Sequence, residues 1–119
     1  MLLSLLKSKL HHIRATGAEL DYEGSLSLDR ELMVAAGILP NEKLLVANLE
    51  NGNRFETYAI EAPAGSRVCR LNGATAHLGE TGDRLIVMAF CLLAPEAAAA
   101  HKPRVLRLDS QNNIAGPAV

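Results

Sequence analysis

Tryptophan is absent from the 119 residues, and Tyr22, Phe55, Tyr58 and Phe90 are the only aromatics. With 49% of residues hydrophobic, a core has to be built from Leu, Val, Ile and Ala. Neither sign of charge dominates: 12 Lys and Arg against 13 Asp and Glu leave a formal charge of -1. Without a basic stripe or an RNA-binding aromatic pair, a nucleic-acid partner is not expected. Cys69 and Cys91 are the only cysteines and form no Cys-x-x-Cys, which excludes a disulfide framework and fits a reduced pair. No apolar run is long enough to span a bilayer. The leucine-rich start, Met1 to Lys9, lacks a basic n-region, is broken by Lys7 and Lys9, and precedes no small-residue cleavage site. Together these absences predict one soluble, cytoplasmic domain with a single core.

What is present reads as short strands and one secure helix. Residues 2 to 13 fit a helical stripe and a strand about equally. A strand from Lys9 would put Lys9, His11, Ile13 and Ala15 on one face. Residues 17 to 25 are turn-rich and irregular. Asp29 is a good N-cap, Leu28 and Met33 occupy the positions of a hydrophobic staple, and Gly37 stands where a helix would end before Pro40. Lys43 to Leu49 and Arg54 to Ile60 flank Asn51-Gly52, a strong hairpin signal. Arg67 to Leu71 is a further strand leading into Asn72-Gly73. Arg84 to Cys91 is the most apolar strand and is expected at the centre. Pro95 to Ala100 suits a helical turn, Arg104 to Leu108 a last strand, and residues 109 to 119 a flexible tail. This pattern points to a mainly β domain, a small barrel with short helices.

Gly24-Ser25 is the stretch with most chemical consequence. If the fold strains that peptide bond, the Ser25 hydroxyl can attack the Gly24 carbonyl and convert the amide to an ester. Elimination and loss of ammonia then leave a pyruvoyl group, whose carbonyl forms a Schiff base with amines and withdraws electrons. A Gly-Ser pair is also an ordinary turn dipeptide, and Gly65-Ser66 repeats it. Alternation along Arg54 to Ile60 puts Arg54, Glu56 and Tyr58 on one face, where Arg54 and Tyr58 could flank a small carboxylate ligand. The plainer reading is a solvated face with an Arg–Glu pair. His11 and His12 would point to opposite faces of a strand, and His77 and His101 are isolated, so no metal site is expected. Asn72-Gly73-Ala74 reads as a turn whose small residues also let backbone amides approach a ligand. Gly79-Glu80-Thr81-Gly82 lacks the lysine and spacing of a phosphate loop.

Lys9-Leu10-His11, Tyr22-Glu23-Gly24-Ser25, Ala35-Ala36-Gly37-Ile38, Asn51-Gly52, Arg54-Phe55, Thr57-Tyr58-Ala59-Ile60, Asn72-Gly73-Ala74 and Ala76-His77 occur in that order. In this the chain resembles the bacterial aspartate 1-decarboxylases, pyruvoyl enzymes that make β-alanine for pantothenate. The resemblance runs over about the first ninety residues.

It implies a six-stranded double-psi β-barrel, a homotetramer with active sites between subunits, and a strand at Lys9 to Ala15. It implies self-cleavage into residues 1 to 24 and 25 to 119, with Ser25 the precursor of the covalent pyruvoyl cofactor and Gly24 the end of the short fragment. Thr57 then assists maturation and lines the substrate site, and Tyr58 is the proton donor. Arg54 and Lys9 hold the carboxylates of L-aspartate, and Asn72, Gly73, Ala74 and Thr75 complete the pocket. A maturation protein is a possible further partner. Asp21 stands where the family is expected to have His, and Thr75 where Ala is common. The first would make the cleavage loop more acidic, and the second would crowd the pocket. A barrel that never matures, or a pyruvoyl decarboxylase for another amino acid, are the competing readings.

Overall fold

Strand β1 (Leu3–Arg14) is the long spine of the fold, and a computed structural model describes the chain around it for residues 1–117. The strand reading of the N-terminus therefore prevails over the helical one. Every second residue from Ser8 to Leu10 is buried, and β1 pairs antiparallel with β7 (Arg84–Leu93) and parallel with β8 (Arg104–Leu108). The remaining strands are β2 (Gly17–Glu19), β3 (Ser25–Asp29), β4 (Lys43–Asn48), β5 (Arg54–Ala62), β6 (Cys69–Asn72) and β9 (Ile114–Pro117). They run in the order β2-β6-β3-β5-β4-β7-β1-β8-β9. The molecule is thus mainly β, with the expected hairpin at β4–β5 and the expected central strand at β7, between β1 and β4. Leu10, Leu26, Leu44, Val46, Leu85 and Val87 are fully buried in the core. Each such side chain contributes about 1.5–3 kcal/mol by leaving water.

Two elements differ from expectation. Nine strands are present among the described residues where six are expected. The short β2 and the C-terminal β8–β9 pair extend the order at its two ends. The tail expected to be flexible from residue 109 instead turns at Asp109–Asn113 and returns as β9. Its anchor is Asn112, whose buried carboxamide accepts from Arg14 N (2.7 Å) and donates to the carbonyls of Arg14 and Arg67 (3.0 Å each). Residues 118 and 119 of that tail lie outside the described residues.

Helix α1 (Arg30–Ala36) has the predicted ends. The Asp29 carboxylate accepts from Glu31 N at 2.8 Å, and Gly37 closes the helix in the left-handed region, at φ 71. Helix α2 (Pro95–Ala98) has its proline in the first turn. Residues Gly73–Leu78 form a 3-10 helix rather than a simple turn. Among the described residues no helix is long and apolar enough to cross a membrane.

Candidate active site

Strands β3 and β6 lie antiparallel, with Ser25 opposite Asn72 and Ser27 opposite Arg70. Paired residues share a face, so Leu26, Leu28, Cys69 and Leu71 face the core and the four polar residues form one patch on the other side. β3 is hard to recognise from sequence because its polar positions are serines in a turn-rich context. The signal was there in Ser25-Leu26-Ser27-Leu28, a period of two behind Gly24. The patch is nearly sealed: Ser25, Ser27 and Asn72 are 1%, 2% and 0% exposed. The Asn72 Nδ2 donates to Ser25 Oγ at 3.0 Å and to Ser27 Oγ at 2.8 Å.

The chain enters this patch under constraint. Ser25 has φ 137, a region that side chains with a Cβ rarely occupy and that costs of order 1–3 kcal/mol. Gly73, at φ 67, lies against the preceding residue so closely that a Cβ there would be 2.8 Å from Gly24 Cα and 2.9 Å from Tyr22 O. Tyr22, Glu23 and Gly24 themselves are exposed. The Gly24–Ser25 pair is thus a junction between an open loop and a buried strand. Thr75 donates its hydroxyl to the Asn72 carbonyl at 2.8 Å, so the extra oxygen is tied to the backbone of the 3-10 helix. The far end of that helix is also clamped, because the Leu78 carbonyl accepts from the side-chain amides of Asn48, Asn51 and Asn53 at 3.1–3.2 Å.

At the other end of β3, the buried Asp29 carboxylate accepts from the backbone N–H groups of Arg67, Gly65 and Glu31 at 2.8–2.9 Å and from the Arg67 guanidinium at 3.1 Å. Burial works to raise its pKa, but the hydrogen bonds and the Arg67 charge together hold it below the usual carboxylate value. Cys69, wholly buried beside this strand, has its thiol pushed up to about 12 by burial, so it is no nucleophile near neutrality.

The other predicted residues sit on β5 and β1. Leu26 pairs with Ala59 in parallel, so Ser25 and Tyr58 stand immediately upstream of that pair on neighbouring strands. Arg54, Glu56 and Tyr58 are exposed on one face, as alternation predicts, while Thr57 is half-buried on the opposite side with Ala59. Glu56 pairs with Lys43 (2.6 Å) and not with Arg54. Two rows cross the large sheet on the outward face: Lys9–Met88–Leu45–Glu56 and His11–Ile86–Ala47–Arg54. Lys9 and Arg54 therefore share a face, yet β7, β4 and β5 separate β1 from β3 within one chain. The structure brings Ser25, Asn72, Gly73 and Thr75 together and sets Tyr58 beside them; it leaves Lys9 apart.

The histidine expectation needs correction. His12 takes φ 65 at a bulge in β1, and its ring stacks on His11 with centroids 3.9 Å apart. The bulge adds a residue and cancels the strand alternation that would have separated them. Burial and then the charges of His12, Lys9 and Arg107 lower the His11 pKa. His101 bonds the Leu6 carbonyl through Nε2 at 2.7 Å. Cys69 and Cys91 are free.

Comparison with known proteins decides the family. The family described as "Aspartate decarboxylase" matches residues 1–115. The chain belongs to the aspartate decarboxylase family. Proteins named aspartate 1-decarboxylase are similar along nearly its full length. That of Thioalkalivibrio sulfidiphilus is 53% identical over 96% of this chain and 90% of its own. That of Caulobacter vibrioides is 52% identical over 96% and 97%, and that of Caldicellulosiruptor saccharolyticus 50% identical over 96% and 89%. Within this aspartate decarboxylase family member, the residues that sequence reasoning missed are Ser27 and Arg70. Ser27 was within reach of the period-two pattern, whereas Arg70 reveals itself only once β3 and β6 are paired.

Proposed function

We infer that the chain decarboxylates L-aspartate to β-alanine and carbon dioxide, using a pyruvoyl group made from its own Ser25 after cleavage of the Gly24–Ser25 bond. The observation that carries this reading is the buried serine at φ 137, its Oγ held by Asn72 and its upstream neighbour pressed by Gly73. Such strain is relieved when the peptide bond breaks. Ser25 Oγ adds to the Gly24 carbonyl carbon, the C–N bond breaks, and the hydroxyl proton ends on the freed nitrogen. Elimination then removes the Ser25 Cα proton to water and breaks the Cβ–Oγ bond, and the Gly24 carboxylate leaves. Hydrolysis of the remaining enamine puts water's oxygen in place of the nitrogen, which departs as ammonia. A group of this kind fits the site, because the position it would occupy is walled by backbone and faces a carboxamide donor.

When present, a pyruvoyl group supplies an electron sink for the pair left behind by carbon dioxide. The chain's own residues do the rest. Arg54 offers a fork for the carboxylate that stays, with Lys9 the second cation. The Tyr58 O–H, on the strand beside Ser25, delivers the proton to the substrate carbon. Thr57 assists the maturation chemistry, and Asn72 with the Gly73-Ala74 backbone and Thr75 closes the pocket.

Three strands, β5, β4 and β7, stand between Lys9 and Ser25 in the order within one chain, and we read Lys9 as contributed to the site by a second copy. The outward sheet face supports such pairing: half-buried Leu45, Ala47, Ile86 and Met88 lie there, with Phe90 43% exposed, an apolar surface suited to subunit contact. We read the assembly as a homotetramer of double-psi barrels with shared sites, and the product as β-alanine for pantothenate.

An intact-mass spectrum of freshly purified protein tests the reading. Fragments 1–24 and 25–119 are expected, the larger lighter by one ammonia than its sequence, together with carbon dioxide release from aspartate. A single uncut chain that persists on warming and on co-expression with a maturation protein would make it a silent barrel.

A further inference from the structure

We propose that Arg70 is a positioning residue for cleavage of the Gly24–Ser25 bond, acting through Asn72. The inference rests on the self-cleavage reading above and concerns how the buried carboxamide is aimed.

Asn72 has two chemically different ends, an oxygen that accepts and a nitrogen that donates. Which end meets Ser25 decides what it can do there. Arg70, two residues earlier on the same face of β6, settles the choice. Its Nε donates to Asn72 Oδ1 at 3.0 Å, and a guanidinium can only donate, so the oxygen must turn to Arg70 and the nitrogen to Ser25 and Ser27. A second guanidinium nitrogen reaches Ser27 Oγ at 3.5 Å, and the guanidinium carbon lies 5.4 Å from the centre of the Tyr22 ring in the cleavage loop. Among the described residues no carboxylate lies within ion-pair distance of Arg70. The polar contacts of this half-buried cation therefore all go to the cleavage apparatus. They do not serve an ordinary ion pair.

The aim of the amide matters most in the elimination step. After the acyl shift, Ser25 Oγ is the bridging oxygen of an ester to Gly24. Breaking the Cβ–Oγ bond sends its electron pair onto that oxygen as part of the Gly24 carboxylate, while the Ser25 Cα proton passes to water. A donor already placed 3.0 Å from Oγ stabilises the charge where it develops, without reorganisation. The cation behind the carboxamide polarises that donor further. With Arg70 absent, nothing forbids the reversed amide, which would set an oxygen against the growing negative charge.

Cleavage rates followed by intact mass test this, using Arg70→Met, Arg70→Lys, Asn72→Ala and the Arg70→Met/Asn72→Ala double variant of the full chain. Asn72→Ala is expected to slow cleavage about 100-fold, the scale for one lost donor. Arg70→Met should slow it about tenfold, an order-of-magnitude figure for a loss of aim and polarisation. Arg70→Lys, which keeps the charge and one donor, should recover most of the rate. The double variant should be no slower than Asn72→Ala alone, because the effect passes through that carboxamide. Melting of each variant in a Ser25→Ala background, which cannot cleave, separates aim from folding. The proposal is overturned if Arg70→Met keeps the parent rate, if the double variant multiplies the two effects, or if Lys and Met are slowed equally. A parent chain that never cleaves would instead remove the self-cleavage reading and this inference with it. Slow cleavage confined to the variants leaves that reading standing.

Discussion

Gly73 and Gly24 are in contact through backbone alone: a Cβ built on Gly73 would stand 2.8 Å from Gly24 Cα and 2.9 Å from Gly24 N. The requirement is double, since Gly73 also holds φ 67. Gly73→Ala should cost about 1–3 kcal/mol through backbone strain and should displace Gly24. Thermal melting in a Ser25→Ala background would read the first effect and an intact-mass time course the second. Parent-like cleavage in Gly73→Ala would show that the close approach is not needed for maturation.

The strain at Ser25 can be measured apart from its chemistry. Ser25→Ala and Ser25→Gly both remove the hydroxyl and lose the Asn72 hydrogen bond alike, so neither should cleave. Only glycine is at ease at φ 137. Ser25→Gly is therefore expected to be the more stable of the two by about 1 kcal/mol, read from urea unfolding. Equal stability, or an advantage for alanine, would mean that the peptide bond is not under strain.

Much of the architecture was legible because local signals agreed with one another. Asp29 and Gly37 bound α1 as their chemistry demands, and Asn51-Gly52 set the β4–β5 hairpin. The long apolar β7 had to be central. What stayed hidden depended on partners far away in sequence. β3 is a strand because β5 and β6 flank it, and the tail is ordered because Asn112 reaches Arg14 and Arg67. The site divides the same way. Ser25, Tyr58 and Asn72 came from a recognised pattern, but their supports, Ser27 and Arg70, lie in stretches that carry no motif. The Asn-Gly hairpin also has a second duty that no turn rule conveys, holding the end of the 3-10 helix through Leu78 O.

Acid should loosen the site from the Asp29 end. Its folded pKa is lower than the unfolded value of 3.8, so its stabilisation is complete above that value and is lost as pH falls through the folded one. Glu50, held down at about 2 by hydrogen bonds from Arg84, acts in the same direction. Asp29→Asn keeps the side chain's size but cannot titrate. It should be less stable than the parent near neutrality, where a charged hydrogen-bonded partner is worth about 1.5–3 kcal/mol. The gap should narrow as the parent protonates, seen in melting temperatures taken from neutrality down to roughly pH 2. A gap that stays constant across that range would mean that Asp29 supports the fold by shape alone.

The distance along the sheet between Lys9 and Ser25 makes a sharper prediction about assembly. Tyr58 borders Ser25 on an adjacent strand of the same chain, whereas β5, β4 and β7 all lie between Ser25 and Lys9 in the strand order. If each site combines Tyr58 of one copy with Lys9 of another, the lesions Lys9→Ala and Tyr58→Phe fall on different contributors. Each variant alone should be nearly inactive after maturation. Co-expressed, randomly mixed assemblies should regain about a quarter of parental sites, since each site draws its two residues from independent copies of a symmetric oligomer. If both residues came from one chain, every site in the mixture would carry one lesion and no activity would return. Separating the hybrids by a tag on one variant, then assaying carbon dioxide release from aspartate, distinguishes the two outcomes.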